Sequence, residues 1–340
     1  MTTAGVPRDA ASPGGAAPGE FALIDRYFRH PSPDAGVVLG IGDDAAVLAP
    51  SAGAELVLAV DMMVEERHFP SGADAEGLGH KILAVNLSDM AAMGARPRWA
   101  LLAGALPGVD EAWLEAFTRG LFALADAHGV ALVGGDTTRG PRNLCLTIAG
   151  EVPAGTAVRR SGAQPGDDVW VSGTLGDAML ALAALQGRTA LDASTLNALR
   201  PRLERPTPRV ALGQALRGVA AAMLDVSDGL TGDLGHLLDA SGVGAEIAVA
   251  RIPCAPALAA RLAGGERDLA LACLLAGGDD YELCFAARSH AREAVAAAAH
   301  AAGVPVARIG TIVPRDAGLV VRDERGAPLR VLPRAFDHFA

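Results

Sequence analysis

AAMLDVSDGL (residues 221–230) carries an apolar run straight into Asp225, Ser227, Asp228 and Gly229, and Leu230 then opens a helical pattern reaching Ala240. A strand that stops on acids, turns on glycine and continues as a helix is an α/β corner. Asp225 and Asp228 lie three residues apart on that corner, and the alternative reading of Ser227 between them is a plain helix N-cap. The same theme of strand, acid and glycine recurs through the chain. VVLGI (37–41) runs into Asp43 and Asp44, ELVLAV (55–60) into Asp61, and ALVGG (131–135) into Asp136.

Working outward, the pattern predicts a first unit with helices over 21–30 and 76–94, a helix capped by Asp110, and strands at 99–106 and 144–152. The glycine- and proline-bearing stretch 153–168 marks a boundary. Beyond it come a strand at DVWVSG, helices over 176–186 and near 209–219, and the corner itself. A strand follows at 245–250, with helices near 255–263 and 268–275. The strand YELCFAA (281–287), an alanine-rich helix over 289–302, a strand at 306–312 and a terminal β pair complete the second unit. Such alternation predicts an α/β (α+β) protein of two domains, 20–152 and 153–340, behind a disordered leader over 1–19 that is rich in Ala, Gly and Pro.

The acids need a shared cause. Adjacent Asp43 and Asp44 repel unless something positive lies between them, and the sequence offers no Lys or Arg within five residues of the pair. Asp89, in LAVNLSDMAAMG, sits in a stretch apolar nearly all round, so it is at least partly buried and needs a partner. In GGDTT, two glycines let backbone approach a ligand closely before Asp136. Each site alone is an ordinary turn or cap; together they call for a cation. Several Mg²⁺ ions, each held by one or two carboxylates and completed by water and phosphate oxygens, reverse the sign of a site that would otherwise repel a polyphosphate. That suits phosphoryl transfer.

Other chemistries lack their motifs. There is no G-x-x-x-x-G-K-[ST], no G-x-S-x-G and no H-E-x-x-H. His68, His80 and His236 are not at zinc-ligand spacing, and Cys145, Cys254, Cys273 and Cys284 read as buried reduced thiols. With 39 acids against 29 bases the chain is no general nucleic-acid binder. No window nears the ~20 apolar residues of a membrane span, so a cytoplasmic protein is expected.

GIGDDAAV (40–47), D-x-x-V-E-x-x-HF (61–69), KILAVNLSDMAAMGARP (81–97), GGDTTRG (134–140), RRSGAQPGD (159–167), RPTPR (205–209), DVSDGL (225–230), GGDDYELCF (277–285) and FDHF (336–339) together resemble thiamine-monophosphate kinase. That family belongs with aminoimidazole ribonucleotide synthetase and selenophosphate synthetase, and the resemblance covers roughly residues 20–339. It implies ATP-dependent phosphorylation of thiamine monophosphate to thiamine diphosphate, by direct in-line attack. It also implies mixed sheets flanked by helices and a homodimer joined through the N-terminal sheets. Carried over by position, Asp44, Asp61, Asp89, Asp136, Asp225 and Asp228 would be Mg²⁺ ligands, with Asp44, Asp89, Asp136 and Asp225 central to catalysis. Gly135, Asp136, Arg160 and Ser227 would contact ATP; His68, Asp279 and Phe336 would face thiamine monophosphate. The chain departs from the family at Ala59 and Val60, where Ser or Thr is frequent, at Asp279, where Glu is usual, and at Glu66 and Arg67. No central carboxylate is lost. A selenophosphate synthetase would want a reactive Cys near the N-terminus, whereas the first here is Cys145.

Overall fold

The computed structural model describes residues 19–31, 34 and 36–333. Phe336 and the FDHF stretch lie outside these residues, as does the leader apart from residue 19. The first half contains β1 (Val37–Leu39), β2 (Val47–Leu48), β3 (Ala54–Val64), β4 (Arg96–Leu106), β5 (Ala131–Arg139) and β6 (Asn143–Pro153). Its helices are α1 (Glu20–Leu23), extended by a wider turn to Phe28, then α2 (Ala75–Ala92) and α3 (Glu111–His128). The long strands form a four-stranded sheet in the order β3-β6-β4-β5, antiparallel except for the parallel β4–β5 pair. β1 and β2 make a separate hairpin.

The second half holds β7 (Asp168–Ser172), β8 (Ala220–Val226), β9 (Gly244–Ala248), β10 (Glu282–Ala287), β11 (Val306–Val313) and β12 (Leu319–Arg322). They form one six-stranded mixed sheet in the order β12-β9-β11-β7-β10-β8. Around it pack α4 (Asp177–Leu185), α5 (Ala193–Glu204), α6 (Val210–Ala215), α7 (Leu230–Ser241), α8 (Pro256–Leu262), α9 (Arg267–Ala276) and α10 (Arg292–Ala302). The α/β expectation of two mixed sheets with helices therefore holds. No helix among the described residues is long and apolar enough to cross a membrane.

Three details differ from the sequence reading. Asp61 and Asp136 do not end their strands; β3 continues to Val64 and β5 to Arg139, because cross-strand pairing carries both past the acid. α5 was not expected. Asp192 caps it by accepting from the Thr195 N–H at 2.9 Å, but Leu199 and Leu203 bury too narrow a stripe for a clear helical signal. The terminal β pair is one strand, β12, parallel to β9, and Arg322 bridges Pro328 without a second strand.

α2 positions the site. Most of its residues are buried all round, with Ile82, Ala84, Leu87, Met90 and Ala91 at 0% exposure, so it has no solvent face. One side packs on α3 and the N-terminal sheet, the other on α6, β8 and β10. A single hydrophobic cluster runs through it, from Ile148 of β6 to Met223 of β8 and Phe285 of β10. The helix is thus a shared core for both halves, and Lys81, Ser88 and Asp89 on it meet groups of the second half.

β3 shows the opposite division. Its period of two turns Val57 and Met63 inward, and Asp61 shares their parity. The alternate residues Leu56, Leu58, Val60 and Met62 stand on the outer face, each more than half exposed.

Candidate active site

Four acids reach the junction from three places: Asp61 from the inner face of β3, Asp89 from α2, and Asp225 and Asp228 from the corner after β8. Burial, then the charges of Asp225 and Asp228, pushes Asp61 up to about 6. Burial, then Asp225 and Asp61, pushes Asp89 up to about 8, with Arg160 pulling the other way. Burial also raises Asp225, although the Ser88 hydroxyl donates to its carboxylate at 2.7 Å. Mutual repulsion of this kind requires the carboxylates to stand near one another, so these four do converge. The charge that reaches them from a base is that of Arg160, acting on both Asp89 and Asp225.

The corner is built by a residue that the sequence reading missed. Asp233, in the first turn of α7, folds its carboxylate back to accept from the N–H groups of Ser227, Asp228 and Gly229 at 3.0, 3.0 and 3.1 Å. The N-cap position, Gly229, has no side chain, so Asp233 satisfies the exposed donors of the helix start instead. Burial and the charges of Asp225 and Asp228 push it up to about 7 despite those donors. An acid four residues beyond a glycine corner was the available signal.

The GGDDYE loop lies against this corner. The Asp279 N–H donates to the Ser227 carbonyl at 2.9 Å, and the Tyr281 N–H to that of Val226 at 2.8 Å. Gly278 is needed for the approach, since a Cβ there would fall 2.5 Å from the Ser227 oxygen. Asp279 and Tyr281 both hold positive φ, 67° and 48°, a conformation non-glycine residues keep only where surroundings impose it. Asp279 is ion-paired at 2.8 Å with Lys81, the chain's single lysine, which is itself buried. The Tyr281 phenol is pushed well up by burial and by the nearby Asp279, Asp61 and Asp225, so it stands between the acid cluster and Asp279. Neither Lys81 nor Tyr281 was singled out from sequence.

Asp44 and Asp136 belong to a second group. With Asp43, Gly135 and Thr137 they line an open cavity of about 1010 Å³ on the outer face of the sheet, which also includes Leu58 and Leu101. Register explains the separation. Asp61 pairs with Leu146, Leu146 with Leu102, and Leu102 with Gly135, so Asp61 and Gly135 sit at one level on opposite edge strands. Three strand spacings put them about 14 Å apart. A Cβ on Gly135, at φ 148°, would lie 1.8 Å from the Leu102 carbonyl oxygen, so only glycine allows the chain through there. The Asp43–Asp44 loop does have a base near it, one remote in sequence. Arg29 donates to the Ile41 carbonyl at 2.8 Å and pairs with Asp25.

The remaining expected residues fall close by. His68, in the turn after β3, accepts the Val64 N–H on Nδ1 at 3.0 Å, which leaves Nε2 as the protonated nitrogen. Arg160 is exposed at the mouth of the acid cluster, and Ser227 forms the corner's backbone.

Among the described residues no three His, Cys, Asp or Glu side chains enclose a single ion by themselves. The donor set nevertheless fits a hard cation: it consists of carboxylates only, in two groups, and at the junction the neighbouring acid charges raise Asp61 and Asp89. Mg²⁺ takes one or two carboxylates in this way and fills its remaining places with water and phosphate oxygens.

The chain matches the AIR synthase related protein N-terminal domain model over residues 42–152 and the corresponding C-terminal domain model over 164–322. It is 47% identical to the thiamine-monophosphate kinase of Salmonella typhimurium, over 95% of this chain and 98% of that protein. The crystal structure of thiamine-monophosphate kinase from Stenotrophomonas maltophilia K279a superposes with a TM-score of 0.80 at 48% identity, covering 91% of this chain and 98% of that one. AaThiL complexed with AMPPCP and TMP superposes with a TM-score of 0.73 at 29% identity, covering 94% and 97%. Two matching domains, a common fold and near-full-length identity lead to one assignment: the chain belongs to the thiamine-monophosphate kinase family.

Proposed function

We propose that this enzyme transfers the γ-phosphoryl group of ATP to thiamine monophosphate, forming thiamine diphosphate and ADP. The observation that carries the reading is the junction of Asp61, Asp89, Asp225 and Asp228, where burial and then the neighbouring acid charges raise Asp61, Asp89 and Asp225 beside Arg160. Such a cluster is tolerable in a working enzyme when cations and phosphates neutralise it. The relative that binds AMPPCP and TMP supports both ligands.

Asp61, Asp89, Asp225 and Asp228 would hold Mg²⁺ on the inner side, and Asp44 and Asp136 on the outer. Bound there, the ions would neutralise charge developing on the transferring phosphates. The chain's own groups do the positioning. Arg160 and the Ser227 corner orient the nucleotide, while the Gly134–Gly135 backbone lets phosphate approach β5. His68 is assigned to the acceptor side of the site. Asp279 faces the cationic part of thiamine monophosphate, and Phe336, outside the described residues, is assigned to the same ligand. An oxygen of the acceptor phosphate attacks the γ-phosphorus in line; the new O–P bond forms as the bond to the β,γ-bridging oxygen breaks and ADP leaves. The nucleophile is already anionic, so no strong general base is required and alignment supplies most of the rate.

Residues 20–152 would carry nucleotide, metal and self-association, and 153–340 would close the site. Self-association through the sheet is favoured by the apolar stripe Leu56, Leu58, Val60 and Met62, which borders the cavity of Asp44 and Asp136 through Leu58.

The deciding experiment incubates the purified protein with ATP, Mg²⁺ and either thiamine monophosphate or thiamine. Thiamine diphosphate from the monophosphate alone is expected. A folded protein that forms no product above background would reject the reading.

A further inference from the structure

We propose that Lys81 is a positioning residue for the acceptor: it fixes the Asp279 carboxylate at a set distance along α2 from the acids of phosphoryl transfer. The inference rests on Asp279 facing the cationic part of thiamine monophosphate, and it adds a specificity determinant to that reading.

Lys81 is a costly residue at its position. It lies on a helix without a solvent face, its side chain is 7% exposed, and its ammonium has its ion-pair partner in Asp279 at 2.8 Å. Burying a lone ammonium in an apolar helix is unfavourable, so the pair is held together from both ends. Its other end is a loop that leaves Asp279 little freedom. Positive φ at Asp279 and Tyr281, two backbone hydrogen bonds to the Ser227 and Val226 carbonyls, and the close approach at Gly278 over-determine the loop. A carboxylate set on such a loop and gripped by a buried lysine has one place to stand.

The same helix grips the transfer site. Ser88, seven residues further along α2, donates to Asp225 at 2.7 Å, and Asp89 follows it. Residues seven apart share a helix face, and their attachment points are separated by about 10.5 Å along the axis. α2 therefore ties the acceptor loop at Lys81 and the acid corner at Ser88, both on the C-terminal half, to one rigid rod from the N-terminal half. An acceptor that carries both a cation and a phosphate engages Asp279 with the one and the acids with the other, whereas a cation without a phosphate makes only the first of these contacts.

The test uses the full-length enzyme and steady-state kinetics with each substrate varied in turn, alongside thermal melting and calorimetric titration with thiamine monophosphate. Replacing Lys81→Met, or Lys81→Gln should the methionine variant not fold, is expected to raise KM for thiamine monophosphate about tenfold and weaken its binding equally. KM for ATP should stay within about twofold. Lys81→Arg, which keeps the charge, should recover most of the loss. A Lys81→Met variant with both Michaelis constants unchanged and only a lower Tm would reduce Lys81 to an interdomain tie and overturn the proposal. Equal rises in both constants, or failure of arginine to recover, would overturn it as well. Wild-type enzyme forming thiamine diphosphate is the control: if it does not, the function assigned above fails, and if it does, only the role of Lys81 is decided.

Discussion

Asp89 places stability and catalysis in opposition. It sits on a helix that is otherwise apolar core, and burial with Asp225 and Asp61 pushes it up to about 8. A carboxylate whose folded value lies above its unfolded one adds stability at low pH and loses that contribution as pH rises through the folded value. At pH 8.5 without metal, the ionised group therefore strains the fold, and Asp89→Asn relieves it. The expected gain is on the order of 1 kcal/mol or more, since each tenfold change in proton affinity between folded and unfolded chain is worth about 1.4 kcal/mol. At pH 5 the gain should be smaller, because the folded carboxyl is protonated there while that of the unfolded chain is already mostly ionised. Turnover should fall by several orders of magnitude, because Asn cannot supply an anionic oxygen to a cation. Thermal melts in EDTA at both pH values, with kinetics in Mg²⁺, check this; an Asn variant less stable at pH 8.5, or one turning over at the wild-type rate, would make Asp89 a structural acid.

At the scale of elements, the corner AAMLDVSDGL was legible because strand, acids, glycine and helix follow one another within ten residues. What lay in tertiary pairing was not. β3 and β5 run past Asp61 and Asp136 because β6 and β4 pair with them, and no local signal marks where pairing stops. The division of the acids into an inner and an outer group follows from strand order β3-β6-β4-β5, which the sequence does not state. Asp233 and Lys81 escaped notice for another reason: each acts on residues brought close only by folding, one on a loop's backbone, the other across two halves. The outer face of β3 was readable only as an apolar run, and the fold resolves it into a period of two, with Leu58 and Val60 exposed at 68% and 59%. A stripe of that kind on an edge strand of a sheet, bordering the cavity of Asp44 and Asp136, is expected to pair with a second copy. Leu58→Glu should convert a dimer to a monomer in sedimentation or light scattering while the far-UV circular dichroism stays unchanged. A wild-type protein that is monomeric at micromolar concentration would remove the need for that pairing.

Over the whole molecule, Asp61, Asp89 and Asp225 of the junction, with Asp233 behind the corner, link pH, metal and stability. Asp61 and Asp233 rise to about 6 and about 7, Asp89 further, and Asp225 in the same direction. All four bind protons more readily in the folded chain than in the unfolded one, so in the absence of metal their contribution to stability declines from about pH 4 to about pH 8. The ion-paired carboxylates Asp34 and Asp168, held low by Arg98, Arg292 and Arg308, act in the opposite direction and lose their contribution in acid. A divalent cation competes with those protons: to bind, it needs the anionic form, so it releases protons on entry and its affinity climbs with pH. Calorimetric titration of Mg²⁺ with a non-hydrolysable ATP analogue, repeated in buffers of different ionisation enthalpy, should give a net proton release that is larger at pH 6.5 than at pH 8.5. In parallel, Mg²⁺ with the analogue should raise Tm by more at pH 8.5 than at pH 5.5. Binding that exchanges no protons at either pH would mean that the junction is not where the cation enters, and the acids at Asp44 and Asp136 would have to carry the metal without it.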